Sequence, residues 1–125
     1  KWTIKKIYNF TKKKKLNKIL LIGMAYKKNV NDDRESPSKE IFNFFNSKKL
    51  KIHFHDPLIK KIKINDKAFF SLKNLSINNI KKYDLIIIGT DHDLLNYKMI
   101  LKHSRHIFDT RGIFHKYDLK KLIHC

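Results

Sequence analysis

Charged and amide side chains crowd the stretch GMAYKKNVNDDRESP, residues 23–37, directly after the apolar run KILLIG. Lys27 follows that run closely, where its ammonium group could meet a phosphate or a sugar hydroxyl. Arg34 precedes a Ser-Pro pair typical of a helix start, and helix starts favour anions. Asp32 could stabilise the stretch by accepting backbone N–H groups or by pairing with Arg34. The stretch predicts an anion-binding loop; the alternative is a charged surface loop with internal ion pairs.

A second cation, Arg111, lies in the motif IFDTRG at residues 107–112. HIFD has the length and composition of a short strand, so Arg111 is predicted to follow a strand end. If the strands are parallel, Arg111 and Lys27 lie on the same side of the sheet. Together the two cations predict a ligand of phosphate type, whereas Arg111 taken by itself could equally be a surface arginine.

Apolar runs of strand length alternate with helical patterns along the chain. Continuous runs such as KILLIG indicate strands buried on both faces, as in a parallel sheet. In LKIHFHDP, apolar residues alternate with histidines, which indicates a strand nearer an edge. The pattern predicts an α/β fold, a Rossmann-like three-layer sandwich with a mainly parallel sheet. The predicted strands are residues 18–23, 50–57, 83–90 and 106–109.

Apolar residues at helical spacing predict the helices. In the helix at 93–104, we expect Leu94, Leu95, Tyr97 and Met99 to face inward. Between the second and third strands, LIKKIKIN alternates like a strand, and FFSLKNLSI could contain a short helix. The predicted helices are residues 1–10, 37–47, 93–104 and 117–125.

Two other kinds of site are weighed and disfavoured. A Rossmann NAD site needs closely spaced glycines after its first strand, but only Gly23 stands there, although Asp56 mimics the acidic ribose-binding position. His53 and His55 share one strand face and could chelate a metal, but no third ligand is near, so no metal site is predicted. The Asp91–Asp93 segment, DHD, is expected to cap the next helix rather than to orient a ligand.

The net charge of +18 has two explanations. A polyanion such as nucleic acid could be the partner, or the composition could simply be biased toward lysine. Only Arg34, Arg105 and Arg111 among the 29 basic residues are arginines. Because base-reading and phosphate-clamping proteins depend on arginine forks, the composition favours bias and argues against a nucleic-acid partner.

Length and cysteine content set further bounds. The 125 residues suffice for one domain with a core, and Lys1 in place of Met suggests a piece of a longer or processed polypeptide. Cys125 cannot form a disulfide framework or a zinc site by itself. The sequence has no signal peptide and no apolar stretch of about 18 residues, the minimum for a membrane span. We therefore expect a cytoplasmic protein without a membrane partner.

The order of four motifs, GMAYKKNVNDDRESP, HDP, DLIIIGTDHD and IFDTRG, resembles the C-terminal domain of the UDP-glucose/GDP-mannose dehydrogenase family over residues 15–115. The resemblance implies the substrate-binding domain of an NAD-dependent enzyme that oxidises the C6 hydroxyl of a UDP-sugar to a carboxylate. It implies a linker-helix end at 1–14 and this domain at 15–125. NAD would be bound mainly by an N-terminal domain, and the catalytic cysteine lies in a central region. This chain would therefore hold no catalytic residue.

The resemblance also assigns residue roles. Tyr26 and Lys27 correspond to substrate contacts, and Arg34 to a contact with NAD on the other domain. Arg111 corresponds to a substrate-contacting arginine, which in dimers can be offered to the neighbouring subunit. Asp32 corresponds to the residue that supports the loop. The implied partners are a UDP-sugar, the N-terminal and central domains of the same enzyme, and a second copy in a homodimer.

Three positions depart from the family pattern: Asn31, Asp33 and Leu50. They concern the fine geometry of the loop rather than the resemblance. The motifs are closer to the branch that acts on UDP-N-acetylhexosamines than to the UDP-glucose branch. Two alternatives stay open from sequence, a basic nucleic-acid-binding domain and an inactive remnant of such a dehydrogenase.

Overall fold

The computed structural model describes residues 2–25, 29, 32–33, 36–48 and 50–124. In this part of the chain a five-stranded sheet has the order β2-β1-β5-β6-β7, and every neighbouring pair is parallel. The predicted Rossmann-like sandwich is confirmed, and the second predicted strand does lie at an edge. The strands are β1 Lys18–Ile22, β2 Lys51–His55, β5 Leu85–Ile88, β6 Ile107–Asp109 and β7 Leu122–His124.

Helices cover both faces of this sheet because the central strands are apolar on both sides. In β1, Ile19 and Leu21 pack into one cluster with α1 and α2, whereas Leu20 and Ile22 pack into another with α3 and α4. All four side chains are fully buried. The described helices are α1 Trp2–Lys14, α2 Pro37–Ser47, α3 Ile77–Lys81 and α4 Tyr97–His103.

Helix α2 begins where the Ser-Pro pair predicts. The Ser36 hydroxyl accepts a hydrogen bond from Ser38 N at 3.1 Å, and Pro37 occupies the first turn. Phe42 and Phe45 are buried against the sheet. This packing fixes the helix start at the carboxyl edge of the sheet.

A short antiparallel hairpin follows β2, formed by β3 Lys61–Ile64 and β4 Lys67–Phe70. It confirms the strand-like alternation of LIKKIKIN. The prediction of a short helix within FFSLKNLSI is wrong. Leu72 N instead donates to Phe54 O at 2.9 Å, which holds this segment beside β2. The next helix, α3, begins only after the Ser76 cap.

Two helix predictions near the end of the chain need correction. The helix expected at 117–125 is a turn followed by β7, because pairing with β6 outweighs its helical spacing; Ile107 N donates to Lys121 O at 2.7 Å. Helix α4 begins at Tyr97 rather than at residue 93, and Leu94 is 71% exposed instead of facing inward. The other expected inward residues, Leu95, Tyr97 and Met99, are partly buried.

Helix α1 packs onto the same core as α2. Ile7 is fully buried, and the rings of Tyr8 and Phe44 meet edge to face at 5.2 Å. The division into residues 1–14 and 15–125 stays a prediction. Among the described helices, none is long and apolar enough to cross a membrane.

Candidate functional site at the carboxyl edge of the sheet

Polar segments follow β1, β2, β5 and β6 at one edge, since parallel strands end on the same side. They begin at Gly23, Asp56, Gly89 and Thr110. In α/β sheets of this kind, ligands bind outside the carboxyl ends of the strands. This edge is therefore the candidate site.

Asp56 is the buried centre of this edge. Its Oδ2 atom accepts hydrogen bonds from Met24 N at 2.6 Å, Ala25 N at 3.1 Å and His92 Nε2 at 2.9 Å. The side chain has no exposed surface. Because both carboxylate oxygens accept hydrogen bonds from other parts of the chain, Asp56 stabilises the fold rather than binding a ligand. The donors to Oδ1 are Leu58 N at 2.7 Å and Ile59 N at 2.9 Å.

Asn29 connects the loop after β1 to the segment after β5. Its backbone N–H donates to His92 Nδ1 at 2.8 Å. Its side chain donates to Asp93 Oδ2 at 2.8 Å and accepts from Asp93 N at 3.1 Å. The middle of the loop is thus fixed to the strand-end segment by both its backbone and its side chain.

His92 is itself held from two further sides. Its ring is fully buried against Asp56, and its carbonyl accepts from the Tyr97 hydroxyl at 2.7 Å. Burial, followed by the charges of nearby aspartates, raises the pKa of Tyr97, so that hydroxyl stays a donor.

Glycines allow β1 and β5 to end in close contact. Gly23 has φ +92°, and a Cβ there would lie 2.5 Å from Thr90 N. A Cβ on Gly89 would lie 2.2 Å from the Ser38 hydroxyl, whose oxygen has no hydrogen-bond partner within the described part of the chain. Both glycines therefore allow close packing between segments of this chain, which any larger side chain would prevent.

Arg111 lies at the same edge, beside the start of α2. Its Nε donates to Gly89 O at 2.9 Å, and its backbone N–H donates to Asp109 Oδ1 at 3.0 Å. The residue is exposed. It lines a cavity of about 270 Å³ together with Pro37 and Ser38. The bond through Nε orients the guanidinium while its terminal nitrogens can still bind an anion.

The predicted site residues have different outcomes. Arg111 is placed at the carboxyl edge, as expected. Asp32 is described and half-buried, but its role in supporting the loop stays a prediction. Tyr26, Lys27 and Arg34 lie outside the described residues.

Sequence reasoning missed the pairing of His92 with Asp56. It assigned the DHD segment to helix capping, but α4 is capped by Asn96, whose side chain accepts from Met99 N at 3.1 Å. The available signal was position, since HDP and DHD both follow predicted strands whose carboxyl ends meet at one edge.

The strand histidines make separate contacts. His53 Nδ1 bonds to the Tyr83 hydroxyl at 2.8 Å, and His55 Nδ1 bonds to Leu72 O at 2.7 Å. Burial, and then the charges of nearby lysines, lower the pKa of His53. Among the described residues, no group of three or more His, Cys, Asp or Glu could hold a metal ion.

The described residues do not fit a dinucleotide cofactor. After β1, Gly23 stands without the further glycines of a pyrophosphate-binding turn. Asp56, at the ribose-binding position, already accepts hydrogen bonds on both oxygens. That NAD is bound mainly by an N-terminal domain stays a prediction.

Comparison with known proteins identifies the family. A profile of the "UDP-glucose/GDP-mannose dehydrogenase family, UDP binding domain" matches residues 20–116. A UDP-N-acetyl-D-mannosamine dehydrogenase of Methanococcus vannielii is 32% identical over 76 residues, which are 61% of this chain and 16% of that protein.

Solved structures show the same fold. A GDP-mannose dehydrogenase from Pseudomonas aeruginosa aligns with a TM-score of 0.77 at 16% identity, covering 97% of this chain and 30% of the other. A UDP-D-ManNAc dehydrogenase from Pyrococcus horikoshii aligns with a TM-score of 0.74 at 21% identity, covering 98% and 29%. The chain thus spans under a third of these relatives. Because the family profile covers most of its length, the chain belongs to the UDP-glucose/GDP-mannose dehydrogenase family and corresponds to its UDP-binding domain.

Proposed function

We propose that this chain binds the nucleotide part of a UDP-sugar for an NAD-dependent 6-dehydrogenase that converts the sugar to a uronic acid. The observation that carries the proposal is the position of Arg111, oriented by Gly89 O beside the start of α2. This places a cation at the edge where α/β sheets bind ligands. The family match, residues 20–116, includes both this arginine and the loop after β1.

In this proposal Tyr26, Lys27 and Arg111 contact the substrate, and Asp32 supports the loop. Arg34 reaches toward NAD held by another domain. Lysine and arginine suit the two phosphates of UDP, since charge-assisted bonds to phosphate oxygens are the stronger kind.

The chain does not catalyse the reaction alone, because the described residues do not fit NAD and Cys125 does not correspond to the catalytic cysteine. Its partners are the N-terminal and central domains of the same enzyme, with a second copy in a homodimer. We also propose a cytoplasmic location. Among UDP-sugars, we infer a UDP-N-acetylhexosamine as the substrate. The UDP-N-acetyl-D-mannosamine dehydrogenase among the relatives supports this choice.

The test is an NMR titration of the chain with UDP at about 150 mM salt, where exposed charges are largely screened. We expect shifts at residues 24–36 and around Arg111, and no response elsewhere. Arg111→Gln should weaken UDP binding about tenfold, the loss expected for a hydrogen bond to a charged group.

Arg105→Gln is the matched control, because it removes the same charge. Arg105 precedes β6 at the opposite edge, where it pairs with Asp84 at 3.3 Å. Its loss should leave the UDP affinity within twofold. Equal losses in both variants would refute the proposed site and indicate a general charge effect.

A nucleic-acid partner is the competing candidate, favoured by the net charge of +18. A short DNA duplex in the same assay separates the two. Binding to a duplex falls steeply with salt, because counterions are released from many phosphates. Broad shifts of lysine resonances with DNA, and no shifts with UDP, would favour the nucleic-acid partner. The family match favours UDP instead.

A further inference from the structure

A second cavity lies at the outer corner of the sheet, between the end of β2 and the chain that leaves the hairpin. Its volume is about 600 Å³, whereas the cavity beside Arg111 has about 270 Å³. Cavities that hold small molecules have volumes of about 300–1,000 Å³ and mostly apolar walls with a few polar groups. Pro57, Phe70 and Leu72 supply the apolar wall here. The cavity thus has the size and the lining of a ligand site.

His55 is the buried polar group in the wall of this cavity. The residue is only 7% exposed, and its Nδ1 atom lies 2.7 Å from Leu72 O. A carbonyl oxygen can only accept, so Nδ1 carries the proton, and Nε2 of the neutral ring is an acceptor. Nε2 has no hydrogen-bond partner among the described residues. In the same part of the chain the enclosed polar side-chain atom without a partner is Ser38 Oγ, so Nε2 of His55 is accessible from the cavity.

Lys60 and Lys73 give the cavity a positive charge. Both are exposed residues of its wall, and neither forms an ion pair with a carboxylate of the described residues. Asp56 is the acidic residue among the described lining residues, and its two oxygens already accept five hydrogen bonds. Surface lysines are common in this chain, but these two border one cavity. They therefore favour an anionic group in the ligand.

Phe70 supplies an aromatic surface at the same cavity. Its side chain is 69% exposed at the end of β4, although it lines the cavity. A single exposed apolar side chain is ordinary in a folded protein. Beside a cavity with an available nitrogen and two cations, however, its ring can stack on a flat ligand and become buried.

We propose that this cavity binds a flat aromatic anion that also carries a hydroxyl group. The aromatic body stacks on Phe70, and the anionic group lies near Lys60 and Lys73. The ligand hydroxyl donates to Nε2 of His55, whose orientation is fixed by Leu72 O. The site goes beyond the proposed function and does not depend on it, because Arg111 is not part of its wall.

The probe for this site is 6-hydroxy-2-naphthoate, titrated into the full chain at about 150 mM salt and followed by NMR. We expect saturable shifts at residues 55–57 and 70–73. Two analogues test the polar contacts on the wild-type chain. 2-Naphthoate lacks the hydroxyl group and should bind about fivefold more weakly, as for one lost hydrogen bond. 2-Naphthol lacks the carboxylate and should bind about two- to fivefold more weakly, as for exposed charge pairs.

His55→Asn removes Nε2 but keeps an amide N–H group for Leu72 O. The roughly fivefold preference for 6-hydroxy-2-naphthoate over 2-naphthoate should therefore disappear in this variant. A loss of folding would weaken both probes alike and would leave their ratio unchanged. Phe70→Ala, at an exposed position, should weaken all three probes about fivefold.

Lys67→Gln is the matched control for Lys73→Gln, because each removes one exposed lysine. Lys67 lies at the far end of the hairpin, opposite Ile64, and is not among the residues that line this cavity. Lys73→Gln should weaken 6-hydroxy-2-naphthoate about two- to fivefold, and Lys67→Gln should leave its affinity unchanged. Equal losses in both variants would overturn the proposed anion contact.

The remaining outcomes also decide the proposal. Shifts spread over lysines throughout the chain, equal affinity for all three probes, or no saturable binding would overturn it. An unchanged probe preference in His55→Asn, or unchanged affinity in Phe70→Ala, would do the same. Naphthoate binding without any response to UDP would remove only the proposed function. A response to UDP without naphthoate binding would remove only this site.

Discussion

Replacing Asp56 with asparagine tests the centre of the site with almost no change in shape. The carboxylate accepts three N–H groups on Oδ2 and two on Oδ1. An amide has one oxygen and one NH₂ group. In its better orientation, the oxygen faces the three donors, and the NH₂ group faces Leu58 N and Ile59 N, which then have no acceptor. In the other orientation, three donors lose theirs.

The expected cost follows from that count. Each buried donor left without an acceptor costs about 1–3 kcal/mol, so the better orientation loses about 3 kcal/mol of the free energy of unfolding. With a urea dependence of about 1.5 kcal/mol per molar, the unfolding midpoint should fall by about 2 M. Far-UV circular dichroism is the suitable probe, because Trp2 is 67% exposed and its fluorescence reports little of the core.

Asp118→Asn is the matched control, since that side chain is exposed. It should change the free energy of unfolding by less than about 0.5 kcal/mol, as surface substitutions usually do. A loss below about 1 kcal/mol in Asp56→Asn would refute the reasoning, because it would mean that the two N–H groups of Leu58 and Ile59 lose their acceptor at little cost.

Gly23→Ala should destabilise by about 3 kcal/mol, since it combines a positive φ with a Cβ against the Thr90 backbone, while Gly112→Ala, with φ +71° and open space, should cost only about 1 kcal/mol; urea unfolding measures both. Because burial and nearby lysines lower the pKa of His53, its NMR titration midpoint should lie below 6.5 and rise in Lys51→Gln. The unfolded chain then binds more protons, so acidification from pH 6.5 through the folded pKa should lower stability. A His53 midpoint at or above 6.5 would contradict this cause.

The main sheet could be predicted because its central strands are continuous apolar runs. KILLIG and DLIIIG have no other stable placement than between two helical layers. Strand β7 could not be predicted in this way, since its three residues are held by the free edge of β6 rather than by their own pattern. A short strand that depends on a distant partner carries little signal in its local sequence.

The edge that carries the candidate site could also be predicted, because it follows from the direction of parallel strands alone. The Asp56–His92 pair could not, since the two residues are 36 positions apart. Their contact depends on the register in which β1 aligns Ile22 with both His55 and Ile88. Spacing in sequence shows which segments meet at an edge but not which side chains bond there.

The hairpin after β2 has a consequence for how copies of this chain behave in solution. An outer strand such as β2 would present free N–H and C=O groups, which invite strand addition and aggregation. The chain leaving the hairpin covers that edge, because Leu72 N donates to Phe54 O at 2.9 Å and Ser71 Oγ accepts from Asp56 N at 3.0 Å. The hairpin itself carries exposed lysines, Lys61, Lys63 and Lys67. The like charges of these lysines on two copies repel each other. Part of the excess of lysine therefore disfavours aggregation through this edge.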